Sequence, residues 1–352
     1  MKTLIDKLYH EHNLCDDELK NLIENITDED LEYLRQKARE TADSIYGKQV
    51  FVRGLIEFTN YCKNDCYYCG IRASNKCAER YRLSKEDIMD CCKQGHSLGF
   101  RTFVLQGGED MHYSDDEMCD IICEIKENYP DCALTLSVGE RTYDTYKRWF
   151  DCGADRYLLR HETADKKHYE KLHPKKMSFQ NRMRCLRDLK EIGYQTGCGF
   201  MVGSPYQTTD TLIKDLRFIK EFEPAMVGIG PYLSHNQTPF ANKKNGDVRL
   251  TLILLSIIRL LLPEALLPAT TALGTASNDG RERGILHGAN VVMPNLSPVP
   301  VRKKYSLYDN KICTGEEAAE CKFCLTNRVK RIGYEIVVSR GDNIAFSNKA
   351  PL

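Results

Sequence analysis

The segment Asn60-Tyr61-Cys62-Lys63-Asn64-Asp65-Cys66-Tyr67-Tyr68-Cys69-Gly70 places three thiols at C-x3-C-x2-C spacing. Thiolate is the ligand that iron–sulfur cubes take, and a loop this short can turn all three sulfurs toward one cluster. Three ligands for four irons leave one iron open, the counterpart of the vacant position in catalytic metal sites. The alternatives are a zinc knuckle or three unrelated buried cysteines. Zinc usually takes four protein ligands, and no histidine lies nearby in the sequence. A second trio, Cys313, Cys321 and Cys324, has C-x7-C-x2-C spacing. In a chain with sixteen cysteines, chance clustering competes with a metal site there.

Three arginines, Arg53, Arg156 and Arg160, fall within short apolar runs that read as strands. A charge pointing into a strand-built core is costly unless it meets an anion. The trio therefore suggests an anionic ligand, with a structural arginine–carboxylate network as the alternative for each member.

The elements that would position these groups alternate. Phe51–Thr59, Thr102–Gln106, Ala133–Val138, Arg156–Arg160, Thr196–Val202, Met226–Gly230, Leu266–Thr271 and Asn290–Met293 read as strands. Lys85–Leu98, Asp115–Asn128, Tyr143–Cys152, Ser178–Ile192, Thr209–Phe222 and Arg249–Leu261 carry helical apolar spacing between them. Eight strands alternating with helices predict an α/β fold, a (β/α)8 TIM-type barrel. An open doubly wound sheet would place a G-x-G-x-x-G turn after the first strand, and this chain has the cysteine loop there instead. In a barrel, chemistry sits at the C-terminal strand ends, where that loop lies. Residues 1–49, with helical patterns over Asp16–Asn25 and Asp28–Tyr46, read as an N-terminal helical cap. Residues 50–300 read as the barrel, and 301–352 as an extension packed on it that carries the second cysteine cluster.

Composition narrows the function classes. The 352 residues include 50 Lys and Arg against 50 Asp and Glu, with no long like-charge run, which argues against a nucleic-acid surface. Leu250–Leu262 is the most apolar run and is interrupted by Arg259, too short for a bilayer span. The first residues are broken by Lys2, Asp6, Lys7 and Glu11 and offer no core for a signal peptide. A large cysteine-rich chain without an export signal is expected in the cytoplasm, with thiols reduced and available for metal. Cys91, Cys92, Cys119 and Cys123 read as core filler. His161 reads as a satisfied barrel histidine, His173-Pro174 reads as a loop, His235 and His287 show no partners in the sequence, and none of the four is assigned to metal.

At the Cys62–Cys69 loop the chain resembles the radical S-adenosylmethionine (SAM) superfamily. Both cysteine spacings taken with Arg160-His-Glu162-Thr163, Met201-Val-Gly-Ser-Pro205, Val227-Gly-Ile-Gly-Pro231, Ala269-Thr-Thr-Ala-Leu-Gly274 and Asn290-Val-Val-Met-Pro-Asn295 sharpen the resemblance. Over about Val50 to Ile332 the chain looks like the FeFe-hydrogenase maturases of the HydE type, relatives of biotin synthase and methylornithine synthase.

The resemblance implies a 4Fe–4S cluster on Cys62, Cys66 and Cys69, and SAM split by one electron to a 5′-deoxyadenosyl radical. It implies SAM contacts from Tyr68, from Gln106, Gly107 and Gly108, from Thr135 and Ser137, and from Glu162, Arg182 and Tyr305. It implies a substrate cavity lined by Arg53, Arg156, Arg160, Thr270, Thr271, Met293 and Tyr308. Cys313, Cys321 and Cys324 would hold a second, accessory 2Fe–2S or 4Fe–4S centre. The substrate would be a small iron–carbonyl–cyanide species carrying cysteine. Partners would be a low-potential donor such as ferredoxin or flavodoxin, and other hydrogenase maturases. Two departures stand out: Gly107 replaces a common Ser or Thr, and Gly203-Ser-Pro-Tyr206 replaces Gly-Leu-Pro-Gly. The alternatives are a mutase or sulfur-transfer enzyme on an amino-acid-like substrate, and a non-catalytic iron–sulfur or zinc scaffold or electron-transfer protein.

Overall fold

The structure is a computed structural model that describes residues 1–315 and 318–347. Three helices open the chain: Lys2–Glu11, Asp16–Asn25 and Asp28–Tyr46. The third is started by Thr27, whose hydroxyl accepts the Asp30 N–H while the Asp30 carboxylate reaches back to the Thr27 N–H. The strands follow: β1 (Gln49–Val52), β2 (Gly54–Thr59), β3 (Thr102–Gly107), β4 (Ala133–Ser137), β5 (Arg156–Leu158), β6 (Gln195–Cys198), β7 (Met201–Val202), β8 (Met226–Val227), β9 (Gly230–Pro231), β10 (Val291–Val292) and β11 (Glu335–Val337).

One parallel sheet runs β2-β3-β4-β5-β6-β8 and another runs β10-β1-β11. Bridges join them: Met226 to Leu266, Pro268 to Val291, and Leu55 to Asn295. With β1 and β2 two halves of one strand broken at Arg53, the ring closes and the barrel expectation holds. The register puts Glu57, Gln106 and Ser137 side by side on the inner face.

The run Leu266–Thr271 departs from its reading as a strand. Pro268 has no N–H to donate to a ladder, so only single bridges form. Thr270 then caps a short helix, Thr271–Ala276, by accepting the Leu273 N–H. The strand β11 was not foreseen. It pairs with β1, so the last part of the chain extends the barrel wall.

Beyond β11 the chain crosses the N-terminal end of the barrel. Asp342 accepts from Arg156 and Gln195, Thr102 donates to the Arg340 carbonyl, and Asn343 donates to the carbonyls of Ala225 and Glu264. These bonds floor the barrel with polar groups that strand ends would otherwise leave unpaired.

Outside the barrel, the helix Val248–Leu261 is buried almost along its whole length, and packs against Asp28–Tyr46. Its Ser256 meets His287 across 2.9 Å. Burial, with Arg35 and Arg283 nearby, pulls His287 down to about 3. The unfolded chain takes up that proton near pH 6.5, whereas the folded chain refuses it until about 3. The folded state therefore loses stability as pH falls through this window. Between pH 7 and 5.5 wild type should lose roughly 1 kcal/mol more unfolding free energy than His287→Gln, measured by denaturant titration at the two pH values.

Candidate active site

The cysteine loop leaves β2 and folds over the barrel mouth. One side chain organises it: Arg80 donates to the carbonyls of Asn60, Ile71, Arg72 and Asn75. Asp65, held well below the usual carboxylate range by Arg72, ties the far side through the N–H of Ser74. The Tyr67 N–H donates to Leu172 and the Gly70 N–H to Leu307, so the loop is pinned to two other parts of the chain.

Gly108 lies directly against this loop. A Cβ there would stand 2.2 Å from the Tyr61 carbonyl and 2.7 Å from Cβ of Cys62, so only glycine allows the approach. The next residue, Glu109, donates its N–H to the Cys62 sulfur at 3.4 Å.

Cys62, Cys66 and Cys69 line one wall of a cavity of about 300 Å³. Burial raises all three thiols, Cys69 to about 12, and their mutual repulsion adds to the effect on Cys66 and Cys69. Three such sulfurs become thiolates together only around a cation, and iron supplies that charge. Across the same cavity Arg160 Nη2 lies 3.6 Å from Oε2 of Glu162, an ion pair too long for a hydrogen bond, and the buried Nε of Arg160 has no hydrogen-bond partner among the described residues. Glu162 also sits at φ 65, a left-handed conformation uncommon for a side chain of its size. A bridge to Phe200 and a hydrogen bond from its N–H to Gly199 hold it there. Sulfurs on one wall and a loosely paired cation and carboxylate opposite fit a cluster with a polar, zwitterionic ligand.

Of the residues singled out from sequence, Tyr68, Gln106, Gly107, Gly108, Ser137, Arg160, Glu162, Arg182, Thr270, Tyr305 and Tyr308 line the cavity with the three cysteines. Gln106 donates to the Tyr305 hydroxyl at 3.3 Å. Five lie outside the lining. Thr135 is one inward position below Ser137, with its hydroxyl buried and unpartnered. Thr271 begins a helix and faces Arg281. Met293 packs against the apolar group of Phe51, Met226 and Leu266. Arg53 is buried beside them, donating to the Met226 sulfur at 2.7 Å, while Nε and Nη2 have no hydrogen-bond partner among the described residues.

Arg156 corrects the expectation outright. It donates to Asp342 at 2.5 Å, to Thr102 at 3.0 Å and to the Arg340 carbonyl at 2.6 Å, so its donors serve the floor and not the cavity. The arginine–carboxylate network is what the structure contains at this position.

Arg182 carries more company than the sequence suggested. Its Nε is 2.6 Å from Glu140 and its Nη2 is 3.8 Å from Glu109. Burial opposes its charge, but the two carboxylates outweigh that and keep it protonated. Glu140 belongs to no motif, and only the fold brings it here. Gly139 makes room for the arrangement, since a Cβ there would meet Glu109 at 1.9 Å.

His173, read from sequence as a loop residue, is a second missed contributor. Its Nδ1 lies 3.0 Å from the Tyr169 carbonyl, which can only accept, so Nδ1 carries the proton. Nε2 must then accept, and the Tyr68 hydroxyl donates to it at 3.0 Å. Burial holds His173 at about 3, so this orientation of Tyr68 persists through the neutral range. His161 is structural: it is buried and accepts the Gly199 N–H.

Around the second trio, Arg281 donates to the Cys313 sulfur at 3.5 Å, and Cys324 is exposed on the helix Ala318–Arg331. Arg328, paired with Glu282, lies within electrostatic reach of both sulfurs. The side chain of Cys321 falls outside the described residues.

A closed parallel barrel with a three-cysteine loop over its C-terminal mouth defines a radical SAM enzyme. The family model described as the Radical SAM superfamily matches residues 56–219. The chain is 46% identical over 302 residues to the [FeFe] hydrogenase maturase subunit HydE of Thermotoga maritima, covering 86% of each chain. It is 32% identical to the 3-methylornithine synthase of Methanosarcina acetivorans, covering 82% of this chain and 81% of that one. The crystal structure of methylornithine synthase (PylB) superposes with a TM-score of 0.83 at 28% identity, over 95% of this chain and 97% of that one. The chain belongs to the radical SAM superfamily and, within it, to the HydE-type maturases. Its cofactors are a 4Fe–4S cluster and SAM, and it works on a small molecule with electrons from a donor. No helix among the described residues is long and apolar enough to cross a membrane.

The floor and the cavity can be separated experimentally. Arg156→Met removes one of the three groups that hold Asp342, leaving Arg340 and Gln195 on it, and should cost about 1–3 kcal/mol of stability in denaturant unfolding. Cleavage of SAM at low temperature should stay within twofold of wild type. A selective loss of cleavage with unchanged stability would return Arg156 to the cavity.

Proposed function

We propose that this chain acts in assembly of the FeFe-hydrogenase diiron active site, using a 5′-deoxyadenosyl radical on a small iron-bound species sealed inside the barrel. The observation that carries the reading is the cavity itself, with three thiols on one wall and the loose Arg160–Glu162 ion pair, 3.6 Å apart, opposite. When bound, the cluster supplies one electron to cleave SAM into methionine and the adenosyl radical. Cys62, Cys66 and Cys69 would hold it, leaving one iron for the amino and carboxylate groups of methionine.

The remaining work falls to the chain. Tyr68, oriented by His173, would pack beside the adenine. Glu162 would accept from the ribose or the methionine amino group, and Ser137 would lie along the nucleoside. Arg182 would exchange part of its pairing with Glu140 and Glu109 for the SAM carboxylate, the fork geometry a guanidinium suits. Arg160 and Thr270 would orient an anionic, cyanide-bearing substrate, with Tyr305 and Tyr308 closing over it to exclude water. Arg53 and Thr135, buried below with unpaired donors, extend this polar lining downward. Cys313, Cys321 and Cys324 would hold an accessory iron–sulfur centre.

The organisation fits a helical cap over 1–49, the barrel over 50–300 and an extension over 301–352. The working partners would be ferredoxin or flavodoxin as donor and companion maturases for handing on the product, in the cytoplasm.

The test is turnover. Reduced, cluster-loaded protein given SAM should release 5′-deoxyadenosine, and Cys66→Ser should lower the rate at least 100-fold, whereas Cys321→Ser should retain most of it. An iron–carbonyl–cyanide complex of cysteine should yield an adenosylated product by mass spectrometry. Rearrangement of a 3-methylornithine precursor instead would assign the amino-acid mutase reaction. Absence of deoxyadenosine under all these conditions would leave only a scaffold.

A further inference from the structure

At the opposite end of the barrel from the cysteine loop, three metal-binding side chains converge where the chain enters β4. His96 stands in the last turn of the helix Lys85–Ser97, and Asp131 and Cys132 immediately precede β4. The His96 Nε2 is 3.1 Å from both carboxylate oxygens of Asp131, and the Cys132 sulfur is 3.7 Å from Oδ1 of Asp131. All three donor atoms lie within 4.8 Å of one another.

These spacings match a coordination polyhedron. Zinc bonds of roughly 2.0 Å to nitrogen or oxygen and 2.3 Å to sulfur, set tetrahedrally, place the donors about 3.3 to 3.5 Å apart. The two edges to Asp131, 3.1 and 3.7 Å, bracket that value, and the imidazole and sulfur, within 4.8 Å of each other, would close the third by side-chain rotation. We infer that His96, Asp131 and Cys132 form a site for a zinc-like divalent cation, with the fourth position open to solvent.

The donor set argues for that class of ion. A thiolate with an imidazole and one carboxylate suits zinc, while magnesium and calcium prefer all-oxygen shells. The site is layered from inside to outside: Cys132 is buried, whereas His96 and Asp131 sit at the rim. Tyr129 lies against the His96 ring at 5.1 Å between centroids, and Arg101 grips Asp131 Oδ2 at 2.7 Å. Both fix ligand orientation, and Arg101 also lowers affinity by placing a positive charge near the cation. Binding would displace the Cys132 thiol proton, as thiolate ligation requires, and so tighten as pH rises. A bound ion would staple the helix Lys85–Ser97 to the entry of β4, joining neighbouring units of the barrel on their outer side.

The test uses the anaerobic, cluster-loaded protein equilibrated with zinc chloride, desalted, and analysed for zinc, iron and sulfide together. Wild type should keep one zinc per chain, with an X-ray absorption shell of nitrogen and oxygen near 2.0 Å and a single sulfur near 2.3 Å. His96→Gln, a rim substitution that leaves the core intact, and Cys132→Ala should each weaken zinc binding at least about tenfold, as lost metal contacts do. Iron content and deoxyadenosine release should be unchanged. Equal zinc in wild type and His96→Gln, only traces in wild type, or a shell of three or four sulfurs would overturn the assignment.

Discussion

Three sulfurs that repel one another as anions are confined to one short loop, and much of the barrel mouth exists to make that tolerable. The loop cannot relax outward, because Arg80 ties four of its carbonyls and Gly108 stands against its backbone. The cost of ionising the thiols together is met only when a multiply charged cluster arrives. Cluster binding and loop order are therefore one equilibrium, in the way that metal sites generally couple to folding.

The same logic of opposed charges continues across the cavity. Arg182 is surrounded by Glu109 and Glu140, and Arg160 lies 3.6 Å from Glu162. The second pair is loose: at 3.6 Å neither Arg160 Nη2 nor Glu162 Oε2 makes a hydrogen bond among the described residues. A zwitterion can replace these loose contacts with tighter ones without stripping any group of its counter-charge. Tyr68 and His173 supply a neutral hydrogen bond at the edge, with donor and acceptor fixed by the Tyr169 carbonyl.

What could be read from the chain follows from how local each signal is. The helices Asp16–Asn25 and Asp28–Tyr46 were legible to the residue because caps and acidic first turns mark their starts. The cysteine loop was legible because its spacing alone confines its sulfurs. Leu266–Thr271 misled because its apolar content resembles a strand, while Pro268 cannot hold a ladder. Arg53, Arg156 and Arg160 share one inward pattern in sequence, yet only Arg160 reaches the cavity. The difference lies in partners as far as 186 residues away or on other strands, and no local pattern encodes them. Glu140 and His173 were missed for the same reason: their roles come from Arg182 and Tyr68, which the fold alone brings beside them.

The floor has a consequence for how the molecule is made. Arg156 finds Asp342 186 positions later in the chain, and Gln195 and Asn343 complete the same junction. During synthesis the walls can assemble first, with the Arg156 guanidinium still facing water, and the base shuts only once residues 340–343 have been made. Such late, distant closure slows folding and leaves a wet, open vessel until the end. A chain stopped before Arg340 would be a barrel without a bottom.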